Sequence, residues 1–216
     1  MKNLVIIGAG DFAREVSWLV ERINRQSAEW NLLGFVDDGE VGACAAGYPV
    51  LGKIDWLCRY TEAVWAVCAV GTGAVRKRIW ERLKACKNVH PAVLIDPAAV
   101  IGRDCEIGGG SIICAGTILT VDVKVGAHCI INLNCTLGHD CVLEPCCTVN
   151  PGTNISGKVH VGECTDIGTG TKLVQGKTVA PNVILGAGAV VSRDIRESGT
   201  YVGVPARKVN KDRLSK

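Results

Sequence analysis

The chain has 216 residues, 48% hydrophobic but only 5% aromatic, with 26 glycines and a formal net charge of +3. That length holds one large domain or two modest ones, and the composition favours a repetitive small-residue architecture over an aromatic-rich core. The charge is too small, and Lys and Arg too evenly spread, to mark a nucleic-acid surface, and no apolar run approaches the length that crosses a bilayer.

The start, MKNLVIIGAGDF, reads as a buried strand that enters a glycine turn and then Asp11, with no cleavage site. The expected compartment is therefore the cytoplasm, where the twelve cysteines stay reduced. AREVSWLVERIN has helical spacing, LLGFVDD is a second strand, part of KIDWLCRY a short helix, AVWAVCAVG a third strand and GAVRKRIWERLKAC another helix. Strands alternating with helices predict a small α/β domain of the Rossmann type.

Gly8-Ala9-Gly10-Asp11-Phe12-Ala13 matches GxGxxA after a strand, and Asp37 closes the second strand. Three readings fit: a packing turn in a capping domain, a site for one nucleotide or sugar phosphate on the helix N-terminal amides, or an NAD site. Fewer than ninety residues precede the next region, which is short for a full dinucleotide fold. The boundary is expected near NVHPAVLIDP, dividing the chain into residues 1–88 and 89–216.

From Val89 to Val191 every sixth residue is Ile, Leu or Val, eighteen in all. A period of six fits a solenoid with three short strands and three corners per coil, here six coils. The aliphatic residue points inward. Glycine often follows it, as at Gly102, Gly108 and Gly138, and is expected to help the chain turn. The fourth place after it is small, and Cys105, Cys129, Cys135, Cys141 and Cys147 all fall there. These thiols read as small core residues, where a serine is expected to destabilise more than an alanine because its buried hydroxyl lacks a partner. Cys129 and Cys147 lie one coil apart, so a disulfide is geometrically conceivable, but the compartment argues against it. A zinc cage is disfavoured because no pair of CxxC motifs occurs.

A filled solenoid keeps chemistry on its surface or between subunits. Of the four histidines, His90 stands at the domain joint, and His128, His139 and His160 project at different places, with no spacing that converges three ligands on a metal. His139, in LGHDCV, points outward from a corner, as an ordinary surface histidine also would.

GAGDFAREV, GFVDD, VGTGAVRKRI, LGHDCVLEPCCTVNPG, LGAGAVV and YVGVPARKV occur in this order around an uninterrupted repeat. Together they resemble the hexapeptide-repeat sugar acetyltransferases of the NeuD and PglD type. The resemblance implies a left-handed parallel β-helix behind the Rossmann-like domain, a C-terminal cap, and a cytoplasmic homotrimer binding acetyl-CoA in clefts between adjacent β-helices. It makes His139 the general base and Asp140 the neighbour that strengthens it. It also assigns the Gly157 amide to the thioester carbonyl, Thr148, Thr169 and Ala187 to the acetyl-CoA cleft, and Gly10, Asp11, Phe12, Asp37 and Asp38 to the acceptor pocket. Some relatives have Glu where Asp140 stands and His where Thr148 and Phe12 stand.

The leading expectation is an acetyltransferase acting on a sugar or nucleotide-linked amino sugar, by O- or N-acetylation, with a His base, no covalent intermediate and no metal. The alternatives are transfer to an amino acid, and a non-catalytic scaffold or nucleotide sensor; His139 beside Asp140 argues against the last.

Overall fold

The computed structural model describes residues 1–39 and 44–209. In chain order the front domain contains β1 (Lys2–Ile7), α1 (Asp11–Gln26), β2 (Trp30–Val36), β3 (Cys44–Ala45), β4 (Tyr48–Gly52), α2 (Trp56–Arg59), β5 (Val64–Cys68), α3 (Gly73–Leu83) and β6 (Val89–Pro91). The sheet order is β3-β4-β2-β1-β5-β6, parallel throughout except for the β3–β4 hairpin. Apolar spacing puts Ala13, Val16, Leu19, Val20 and Ile23 on the buried face of α1. Ile79, Trp80 and Leu83 of α3 pack with Val5 and Ile7 of the sheet.

The remainder is a parallel β-solenoid. Two-residue strands pair with partners 18 residues away and form three sheets. The first stacks Ile95, Ile113, Ile131, Val149, Ile167 and Leu185. The second stacks Ile101, Leu119, Leu137, Ile155, Leu173 and Val191, and the third stacks Ile107, Val125, Leu143, Val161 and Val179. Gly199–Val202 extends the first sheet and Arg207–Lys208 folds back on it antiparallel as a cap.

Four sequence expectations change. Val89 keeps the six-residue spacing but pairs with Val64 of β5, so the chain leaves the front sheet only after Pro91 and the boundary moves past 88/89. The open parallel edge of β5 captures these residues before the first coil strand at Leu94–Ile95.

The glycine after each aliphatic residue is not the turning position. At Gly138 a β-carbon would lie 2.6 Å from the Gly157 nitrogen of the next coil, so close coil approach selects glycine there. The left-handed corner comes two residues later, at Asp104, Asp122, His128, Asn134, Asp140, Cys146, Cys164 and Asn182 among others, with φ between 54° and 61°.

Cys129, Cys135, Cys141 and Cys147 are free and buried in the core. Their column also holds Ser111, Thr117, Thr153, Thr165 and Thr171, whose hydroxyls donate to carbonyls 15 residues on. The Cys135 and Cys141 thiols donate to the equivalent carbonyls, of Asn150 at 3.3 Å and Ser156 at 3.0 Å. A serine at these places would thus find a partner, which reverses the expected order of serine and alanine.

Finally, the cysteines are not all free. Cys58 and Cys86 form a disulfide within the front domain, a long-range pairing that no sequence spacing announces.

The front domain is seated on the first sheet of the solenoid. The outward residues of its first three coils, Leu94, Ile112 and Ile130, are buried with Ala13, Val16 and Val20 of α1 in one cluster. Each such side chain contributes roughly 1.5–3 kcal/mol by leaving water. Further along the same face the outward residues become Thr148, Asp166 and Ile184, and the apolar seam ends. Arg22 of α1 clasps Asp96 with two hydrogen bonds of 2.7 and 2.9 Å.

Candidate active site

His139 and Asp140 form the corner between strands Thr136–Leu137 and Val142–Leu143. Asp140 has φ 58°, a conformation that Asp and Asn tolerate better than most residues. It turns the chain and leaves both side chains about half exposed, 47% and 49%. His139 Nδ1 lies 2.7 Å from Asp140 Oδ2, so the aspartate reaches its neighbour. With Nδ1–H donating to the carboxylate, the neutral ring carries its lone pair on Nε2, the atom free to accept a proton.

Gly157, one coil on, is buried beneath this ring, and a β-carbon there would collide with Nε2, Cε1 and Cδ2. Its N–H has no acceptor among the described residues. Thr169 and Ala187 stack on another edge, between the first and second sheets, where Gly188 N–H donates to Thr169 O at 2.8 Å. Both are exposed.

Thr148 departs from the expected cleft. It is 4% exposed, and its hydroxyl donates to Gly71 O at 2.7 Å in the loop after β5. Here the side chain serves the domain junction. It sits at the point where the apolar seam under α1 gives way to polar contacts.

In the front domain the glycine turn is pinned by Asp37, whose Oδ2 accepts from Ala9 N–H at 2.9 Å and Oδ1 from Gly39 N–H at 2.7 Å. Asp38 accepts from Ile54 N–H at 3.0 Å and from Arg82 at 2.8 Å. The Arg82 hydrogen bond, first among several contacts, holds its carboxyl below the usual range. A cavity of about 400 Å³ opens between Gly8, Asp37, Asp38, Ile54, Val70 and Ile79, and a neighbouring one of about 460 Å³ is lined by Ala9, Gly10, Asp37 and Cys44.

Gly10, Asp37 and Asp38 thus line open space. Asp11 and Phe12 do not line either cavity. The Asp11 side chain is 94% exposed and paired with Arg14, and half-buried Phe12 packs into the cluster shared with the solenoid. Sequence reasoning missed Arg82, which lies outside every motif of the resemblance, and gave no site role to Val70 although it opens VGTGAVRKRI.

His139 does not meet these cavities within one chain. The front domain covers the first sheet and the edge carrying His128, Cys146 and Cys164, whereas His139 stands on the edge between the second and third sheets. That edge is opposite the covered face.

The comparisons agree with this architecture. The family model of the PglD N-terminal domain matches residues 3–83. The acetyltransferase domain of PglB from Neisseria gonorrhoeae FA1090, in complex with acetyl coenzyme A, has a TM-score of 0.87 and 31% identity, covering 96% of this chain and 99% of its own. A histidine-to-asparagine variant of perosamine N-acetyltransferase from Caulobacter crescentus, in complex with CoA and GDP-perosamine, has a TM-score of 0.86 and 27% identity, covering 98% of each chain. WeeI from Acinetobacter baumannii AYE has a TM-score of 0.69 and 26% identity, covering 97% of this chain and 100% of its own. Among curated protein sequences none matches this one.

Proposed function

This chain belongs to the PglD-type sugar acetyltransferases, and on that premise we propose that His139 is the general base in acetyl transfer from acetyl-CoA to a sugar or nucleotide-linked amino sugar. The observation that carries the reading is the 2.7 Å contact between His139 Nδ1 and Asp140 Oδ2 on an exposed corner. It engages Nδ1 and leaves Nε2 as the ring nitrogen available to act as the base.

An acceptor hydroxyl or neutral amine attacks the thioester carbonyl while Nε2 takes its proton. The new C–O or C–N bond forms, the C–S bond breaks, and the imidazolium returns its proton to the leaving thiolate. An ammonium acceptor sheds one proton first. The developing oxyanion is assigned to the Gly157 N–H, which has no acceptor among the described residues. Thr169 and Ala187 are assigned to the acetyl-CoA cleft, and the front cavities beside Gly10, Asp37 and Asp38 to the acceptor.

We propose that the site is assembled between copies in a homotrimer, a reading supported by the placement of His139 on the edge opposite the front domain. Val100 and Ile118, 57% and 39% exposed, stack on the outer face of the second sheet, which lies between the His139 edge and the Thr169–Ala187 edge. A neighbouring solenoid on that face would cover them. The proposed compartment is the cytoplasm, in keeping with ten free thiols, and there the Cys58–Cys86 pair meets reducing conditions. No described helix is long and apolar enough to cross a membrane.

The test is a mass-spectrometric screen for acetyl transfer to nucleotide-linked amino sugars, sialic acids and free hexoses, with His139→Ala as control. Acetylation of a free amino acid alone would replace the sugar reading. Failure of the folded protein to bind acetyl-CoA would favour a scaffold.

A further inference from the structure

Arg76 of α3 is 1% exposed, the largest fully buried side chain among the described residues. Arginine is seldom buried without an acidic partner, yet every hydrogen bond of this guanidinium goes to a backbone carbonyl. Nε donates to His128 O at 3.0 Å. Nη1 donates to Val70 O and Gly71 O, both at 2.8 Å. Nη2 donates to Cys146 O at 2.8 Å and Cys147 O at 3.0 Å. A guanidinium has five N–H groups, and here each has one acceptor.

Those acceptors divide between two bodies. Val70 and Gly71 belong to the loop after β5, and Val70 lines the front cavity. His128, Cys146 and Cys147 belong to adjacent coils of the solenoid. Gly71 O is held a second time, by the Thr148 hydroxyl at 2.7 Å. Gly73, at the start of α3, lies so close that a β-carbon would collide with Cys146 O. An aliphatic side chain could seal this seam without desolvating a charge. The planar fork adds direction, because its five donors are satisfied together at only one placement of the loop against the coils.

We propose that Arg76 is a positioning residue for acetyl transfer, fixing the acceptor cavity on its own solenoid and so, through the packing of solenoids between copies, against the neighbouring copy's base. The inference rests on the reading of that cavity as the acceptor's. Displacement of a bound reactant by about 1 Å can slow a reaction on the order of 10²-fold without weakening binding.

The experiment compares Arg76→Lys with the wild type in kcat per folded site, counted by acetyl-CoA binding stoichiometry. The acceptor is a GDP- or UDP-linked amino sugar that the wild type turns over. The expected result is a kcat per site lower by roughly 10- to 100-fold, with acetyl-CoA affinity and acceptor affinity each within a few-fold of the wild type. Thr148→Val, which removes one hydroxyl from the same carbonyl, should lower kcat less, and the double variant should lose less than the two separate effects combined. A purely structural arginine would reduce the number of folded sites and the Tm but leave kcat per site unchanged, and that result overturns the proposal. Should Arg76→Lys not fold, unchanged kcat per site in Thr148→Val overturns it instead. Absence of transfer by the wild type would overturn the functional reading and this inference with it, whereas an active wild type with an undiminished variant removes the inference alone.

Discussion

His128 and His139 stand on two edges of one solenoid, and the front domain covers only the first. His128 is in the left-handed corner conformation, φ 59°, with its ring stacked on Trp80 of α3 at a centroid distance of 4.4 Å and an interplanar angle of 19°. Its Nδ1 is buried without a hydrogen-bond partner among the described residues. Burial, then the cations Arg76 and Lys84, push its pKa down to about 4. His139 is half exposed and bonded to a carboxylate. Corners of nearly the same backbone shape thus yield a packing residue where a helix covers them and a candidate base where solvent reaches them.

The comparison breaks most sharply at His139. His139→Ala is expected to lower kcat by roughly 10²–10⁴-fold with acetyl-CoA binding retained. Steady-state rates combined with calorimetric binding check this, and a loss of only a few-fold, where chemistry limits the rate, would remove the base assignment.

Asp140→Asn keeps a residue that tolerates the left-handed corner and should reduce kcat less than His139→Ala. The double variant should resemble His139→Ala alone, because an orienting group has nothing left to orient. Gly157→Ala drives a methyl group against the face of the His139 ring at Nε2. It should slow transfer by roughly 10-fold or more by displacing the ring, with the particle mass in light scattering unchanged from the wild type. Wild-type rates in this variant would show that the ring position is immaterial.

A smaller effect lies inside the solenoid. Cys135→Ala is expected to lose about 1 kcal/mol of stability through the vacated volume. Cys135→Ser should lose less, because its hydroxyl can donate to Asn150 O as the thiol does. Urea unfolding of the two variants decides the order, and a serine variant weaker than alanine would refute the threonine-like role.

The last effect is at the covered edge. Above pH 6.5, the ordinary value, His128 is neutral in both folded and unfolded chains and contributes nothing. As pH falls from 6.5 toward about 4, the unfolded chain takes up a proton that the folded one refuses, so stability declines. His128→Phe keeps the stack on Trp80 and removes this titration. Its Tm should therefore fall less than that of the wild type between pH 7 and about 4.5, and parallel curves would show that His128 does not report burial.

Most of the solenoid was legible because each coil repeats the contacts of the last at a constant offset of 18 residues, so one hexad determines which residues point inward. The same regularity exposed His139 as a corner residue, and the glycine turn with Asp37 was readable because β1, α1 and β2 follow one another locally. Which edge receives α3 was decided by tertiary packing. Arg76 meets carbonyls 70 and 71 residues away, Cys58 finds Cys86 across 28 residues, and Thr148 turns to Gly71. Such contacts join aperiodic segments to a periodic one, and nothing in residue spacing encodes where a non-repeating domain lands on a repeat. Only the placement of the front domain made His128 a packing residue and left His139 in reach of solvent.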